Sequence, residues 1–144
     1  MEFRVGEYMF LKVSPMRGVM QFGKKGKLAP RYVGPFEIID RIGEVAYNLD
    51  LPPNFSHVHP VFYISMLRKC ISDPSHVLQP QYVEVSKDLT YEEQPIMIVD
   101  TQVCQLHSKV ISMVKVLWRN HSSKECIWET ELEMRSLYLH LFQS

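Results

Sequence analysis

The chain has 144 residues, of which 46% are hydrophobic, 11% aromatic and 22% charged; Lys plus Arg (16) balance Asp plus Glu (16). That composition describes one globular domain or two small ones, and excludes a disordered chain. No apolar run is long enough to span a bilayer, and no basic-then-apolar leader opens the chain, so neither a membrane span nor a secretory signal is expected.

The zero balance hides a split. Residues 1–70 hold 10 basic against 6 acidic side chains, and residues 71–144 hold 6 against 10. Two oppositely charged halves suggest two units with different partners. Cys70, Cys104 and Cys126 are odd in number and scattered, which argues against a disulfide framework or a zinc finger and for three reduced thiols.

In chain order, Val5 to Val13 is rich in β-formers and predicts a first strand. Ser14 to Pro30 is broken by Gly and Pro and reads as a long loop. Gly34-Pro35 predicts a bend, followed by a strand from Phe36 to Ile42 whose Phe36–Ile39 stretch reads as buried. Gly43-Glu44 is a hairpin signal. Val45 to Leu51 then alternates, with Val45, Tyr47, Leu49 and Leu51 on one face. His59 to Tyr63 is a further short strand, and Ile64 to Lys69 fits one or two helical turns. Four short strands after a long first loop predict a small open barrel.

Ser72 to Lys87, with Pro74, Pro80 and weak periodicity, reads as an extended linker. Beyond it, strands are expected at Ile96–Val103, Val114–Trp118 and Glu125–Trp128, with a turn at Asn120–Ser123. Thr130 is a suitable N-cap for a terminal helix whose first turn carries Glu131 and Glu133. Leu132, Met134, Leu137 and Leu141 are its expected packing face. The fold class is therefore mainly β with short helices. The expected domains are 1–70 (barrel), 71–90 (linker) and 91–144 (three-stranded sheet with a C-terminal helix).

The residues that carry chemistry are few. Between Arg4 and Arg31 stand seven basic side chains and a single acid, Glu7; Lys24, Lys25 and Lys27 flank Gly26. A glycine-bearing cationic loop suits phosphate, because the main chain can approach closely and the ammonium groups displace counterions. The candidate nucleic-acid contacts are Arg17, Lys24, Lys25, Lys27 and Arg31; the bland alternative is a solvated charged loop. His57 and His59 lack further ligands at metal spacing, so no metal is expected, and His59-Pro60 reads as a strand-entry device. There is no G-x-S-x-G, P-loop or dinucleotide fingerprint, so neither an autonomous enzyme, a cofactor nor a small-molecule substrate is expected. Trp118 and Trp128 fit either a core or the wall of a cage for a methylated ammonium, and residue physics leaves both open.

Several segments together resemble the C-terminal end of a plant gypsy-type integrase of the chromovirus lineage. They are Val5-Gly6-Glu7, Phe10 to Pro15, Leu28 to Phe36 with its Gly34-Pro35-Phe36, His59-Pro60-Val61-Phe62, and Ser65 to Lys69. The resemblance implies an SH3-like barrel that binds DNA in the nucleus and supports integration. It also implies that the catalytic Asp, Asp, Glu core lies upstream of residue 1, so this chain is not expected to be an enzyme. Residues 91–144 resemble a chromodomain through Val116-Leu117-Trp118-Arg119 and Ile127-Trp128-Glu129. By that resemblance, Trp118 is the second member of a histone-tail cage. The third falls at His121, and the first near Glu93 or Gln94, neither of them aromatic. A degenerate chromodomain with a chromatin partner is thus expected. The rival reading is a protein–protein docking module, or a decayed fragment, without nucleic-acid binding.

Overall fold

A computed structural model of the chain describes residues 2–16 and 29–143. The chain divides into two compact units that meet in sequence at Tyr91 and Glu92.

The first unit is a curled antiparallel sheet. Strand β1 (Tyr8–Met16) pairs with β2 (Arg31–Ile42), β2 with β3 (Ala46–Leu49), and β3 with β4 (Val61–Tyr63). A one-turn 3-10 helix, Ile64–Met66, then reverses the chain into β5 (Leu67–Arg68), which returns to the free side of β1. Among the described residues the order is β4-β3-β2-β1-β5, which is the small barrel expected. The core is filled from alternate positions: Met9, Leu11 and Val13 of β1, Val33, Phe36 and Ile38 of β2, Tyr47 and Leu49 of β3, with Phe55, Phe62 and Leu67. The Tyr47 hydroxyl accepts a hydrogen bond from the Phe3 backbone N–H at 3.0 Å, which satisfies a polar tip inside the core.

Three expectations are corrected here. Gly34-Pro35 is not a bend ahead of a strand; it lies within β2, whose ladder begins at Arg31. Opposite it the register jumps from Met9↔Phe36 to Leu11↔Val33, so two residues of β2 face one of β1. This bulge changes the inward parity, from Arg31 and Val33 to Phe36 and Ile38, and leaves Ile39 exposed. Val45 is likewise exposed, because the β2–β3 connection takes Gly43, Glu44 and Val45 and the strand starts at Ala46.

The third correction is the linker. Val77–Leu78 (β6) pairs in parallel with β2 through Tyr32↔Val77 and Val33↔Leu78, and Thr90–Glu92 (β7) pairs with β1. Leu78, Val85 and Tyr91 are buried in the barrel core. Residues 71–90 therefore belong to the first unit. An Asp73 cap, accepting from the Ser75 N–H at 3.0 Å, turns the chain just before β6.

One ion pair crosses the seam of the barrel. Lys69 Nζ, just past β5, sits 2.9 Å from Glu7 Oε2, just ahead of β1. The Lys69 contact first, and the Arg4 backbone N–H second, hold the Glu7 carboxyl below its ordinary value. A carboxyl depressed on folding contributes stability above its unfolded pKa and loses it as the pH falls through the folded one. Lys69→Ala is accordingly expected to be slightly less stable than the wild type at neutral pH, with the gap closing on acidification through and below the carboxylate range. Denaturant titrations of both proteins across that range check this; a gap independent of pH sinks it.

The second unit is a sheet of order β10-β9-β8, formed by β8 (Pro95–Leu106), β9 (Lys109–Trp118) and β10 (Ile127–Thr130), followed by helix α1 (Glu131–Leu137). Thr130 caps α1 as expected, its hydroxyl accepting from the Glu133 N–H at 3.3 Å. Val114, Val116, Trp118, Met134 and Tyr138 make the core, with Leu137 and Leu141 against it. Leu132, expected on the packing face, is 82% exposed. The β8–β9 hairpin is longer than the periodicity implied and runs out to a two-residue turn at His107-Ser108. Among the described residues no helix is long and apolar enough to cross a membrane.

Candidate nucleic-acid and tail-binding surfaces

Of the five candidate phosphate contacts, Arg17, Lys24, Lys25 and Lys27 lie outside the described residues. Arg31 is placed, and its location corrects the expectation. It is the first residue of β2, opposite Val13, and 0% exposed. Its parity matches Val33, so the side chain enters the barrel. One nitrogen, Nη1, is 3.4 Å from the Pro30 carbonyl. The guanidinium also helps to lower the Asp73 carboxyl, whose main cause is the Ser75 hydrogen bonds. Arg31 is thus an interior cation associated with the β6 approach, not part of an open face.

The outward parity of the same strands carries a different set. Tyr8, Phe10 and Lys12 alternate with the buried Met9, Leu11 and Val13. Lys12 lies directly across from Tyr32 of β2, and Phe10 directly across from Arg68 of β5. Lys12, Arg68 and Tyr8 are exposed, while Phe10 and Tyr32 are half-buried. Arg68 Nη1 donates to the carbonyls of Leu67 at 2.8 Å and Ser65 at 3.1 Å, which fixes the base of the guanidinium. Two cations interleaved with three aromatic rings on one sheet face have the chemistry to contact anions and to stack against flat rings. Counting charges along the chain missed this strip. The signal that finds it is the strict alternation of Tyr8-Phe10-Lys12 against Met9-Leu11-Val13.

In the second unit the three positions implied for a tail cage do come together. Strand pairing sets Pro95 opposite Trp118, and the Arg119 N–H donates to the Gln94 carbonyl at 2.8 Å. The turn after β9 is closed by a hydrogen bond from the His121 N–H to the Trp118 carbonyl. His121 Nε2 is then 3.5 Å from Glu93 Oε2, and Nδ1 is 3.2 Å from Glu125 Oε2. The other Glu125 oxygen accepts from the Ser122 N–H and hydroxyl, a capping box that ties down the Ser123–Glu125 turn.

The second and third cage positions are closed to solvent, and of the two residues at the first, Glu93 is buried while Gln94 is exposed. Trp118 is 0% exposed and meets Tyr138 edge-on at 5.9 Å, and the His121 and Glu93 side chains are buried as well. A quaternary ammonium needs the open face of a ring. Trp118 and His121 are instead core groups, and the tail-cage expectation is corrected on that ground. Trp128 is half-buried, with Lys115 Nζ 5.9 Å from its ring centre. His59 acts at a strand entry as expected: its Nδ1 accepts from the Val61 N–H at 3.4 Å, at the start of β4. Among the described residues no trio of His, Cys, Asp or Glu is arranged to hold a metal.

Residues 6–71 match the family described as Tf2-1-like, SH3 domain. Over 69 residues the chain is 35% identical to the Transposon Tf2-3, Tf2-4 and Tf2-5 polyproteins of Schizosaccharomyces pombe. The matched region is 47% of this chain and 5% of each polyprotein, so the chain spans only a small part of the length of these relatives. No solved structure matches. The matched segment of the first unit is accordingly similar to an SH3 domain found in these transposon polyproteins, and the similarity lies in that domain.

Proposed function

We propose that this chain is a non-catalytic DNA- and chromatin-binding tail of an LTR-retrotransposon integrase of the plant chromovirus type, acting in the nucleus. The observation that carries the reading is the outward strip of Tyr8, Phe10, Lys12, Tyr32 and Arg68 on a unit matched to a transposon SH3 domain. In this reading, Lys12 and Arg68 contact phosphates and the rings stack on sugars or exposed bases. Lys24, Lys25, Lys27 and Arg17, which lie outside the described residues, add phosphate contacts of their own. Binding is then largely independent of sequence and steeply salt-sensitive. The second unit is read as a chromodomain-like fold that has given up its aromatic cage and keeps a protein-contact role.

Anisotropy titrations of a short duplex over a salt series test the proposal. Lys12→Ala with Arg68→Ala is expected to lower affinity and to flatten the log–log salt slope by about 2, at about 0.9 per lost phosphate contact. Neutralising Lys24, Lys25 and Lys27 together is expected to flatten it by about 3 on the same scale. Unchanged slopes in both variants, with folding retained, remove DNA from the reading. The docking alternative would then stand on the acidic balance of residues 71–144.

A further inference from the structure

The outer half of the β8–β9 hairpin runs beyond the core that α1 covers. From Asp100 to Leu106 the pairing with β9 is regular, one residue for one, after bulges at Pro95/Met97 and Ile98/Asp100. Among the described residues β8 is the edge of its sheet, with β9 on one side and no strand on the other. Its outer backbone groups therefore form a ladder that pairs with no strand among the described residues. Both faces of this arm carry aliphatic groups. Val103 is 63% exposed and Val110 66% exposed on the face that continues Val114 and Val116; Leu106, Cys104 and Ile111 lie on the other.

Edge strands that stay single are usually guarded by lysine, proline or an inward charge. This one is not. From Thr101 to Leu106 there is no charged residue and no proline; Asp100 stands at the head of the stretch, and Lys115 and Lys109 of β9 lie across from Asp100 and Leu106. We infer that the Asp100–Leu106 edge of β8 pairs antiparallel with the same edge of a second copy, joining two three-stranded sheets into one.

Charge and register select this occupant. An uncharged edge offers nothing to recognise a charged peptide, whereas it is complementary to itself. With Val103 facing Val103 on the two-fold axis, Gln102 faces Cys104, Thr101 faces Gln105, and Asp100 faces Leu106. No like charges meet in that register, and sliding it to centre on Asp100 would oppose two carboxylates. A second copy also brings its own β9, so the strips on both faces of the arm are continued; a lone peptide strand extends neither beyond its own width.

Sedimentation of the full chain over a concentration series, with the Val103→Lys variant alongside, tests this. The wild type is expected to be a monomer–dimer system. Val103→Lys places two ammonium groups against each other on the axis and is expected to weaken the dimer by at least about tenfold. In the wild type, amide exchange at alternate residues between Thr101 and Gln105 is expected to slow as concentration rises, a readout that needs no variant. A chain that stays monomeric throughout overturns the inference. So does a dimer that a folded Val103→Lys variant retains, or protection of β8 that appears only when a lysine-rich peptide is added.

Discussion

Trp118→Ala is expected to destabilise the second unit by about 3–5 kcal/mol, the usual cost of emptying a buried aromatic site. The indole is wholly inside, packed edge-on to Tyr138 and grouped with Val114, Val116 and Met134. A unit of this size has little stability to lose, since small domains bury a modest share of their surface. Amides of β9 and β10 are expected to be protected from exchange in the wild type and to lose that protection in the variant. Trp118→Phe separates the structural role from a ligand-binding one. The Trp118 Nε1 donor has no hydrogen-bond partner among the described residues, so a phenyl ring gives up volume but no polar contact. Its cost should be well under half that of alanine. If Trp118→Ala leaves β9 and β10 protected, the ring is not a core element and the cage reading of that position returns.

What was legible in the chain, and what was not, follows from the range of the signals. Thr130 with Glu131 and Glu133 is a local N-terminal pattern, and it produced the expected cap because nothing distant competes with it. The alternation in β3 likewise placed Tyr47 and Leu49 in the core. The docking of residues 71–90 was not legible: Val77–Leu78 is too short to show a period, and its parallel partner lies more than forty positions earlier in the numbering. Arg31 was misplaced because a charge count has no faces. Had β2 been started at Arg31, the parity shared with Val33 would have put it inside. The Glu93–His121–Glu125 group is half local, through the capping box at Ser122. The other half comes from the approach to β8, which no spacing in the sequence connects to β9. Lys12 and Arg68 were overlooked for the opposite reason. Each is a lone cation in its own segment, and only the pairing of β1 with β2 and β5 gathers them around Phe10 and Tyr32.

Gly34→Ala is expected to cost the first unit about 1–3 kcal/mol, the range for a residue forced into a disfavoured backbone conformation. Gly34 adopts φ +139°, a region that L side chains rarely enter. An added Cβ would also stand 3.1 Å from the Met9 carbonyl oxygen and 3.2 Å from the Phe36 nitrogen. Both neighbours are backbone atoms in a paired ladder, so neither can swing aside as a flexible side chain would. The consequence reaches past one contact. The Gly34-Pro35 bulge converts the inward parity of β2 from Arg31 and Val33 to Phe36 and Ile38. Relieving the clash by shifting β1 against β2 would disturb the same register that aligns Lys12 with Tyr32. The denaturation midpoint should fall with little change in slope, and, on the proposed DNA-binding reading, affinity for a duplex at a temperature where the variant is still folded should fall with it. Ala at the exposed, unobstructed Gly6, φ +95°, serves as the control: it carries the backbone strain but meets nothing within 4 Å, so it should cost less. Equal losses at the two positions would mean that φ alone matters and that the close approach of β1 to the bulge contributes nothing.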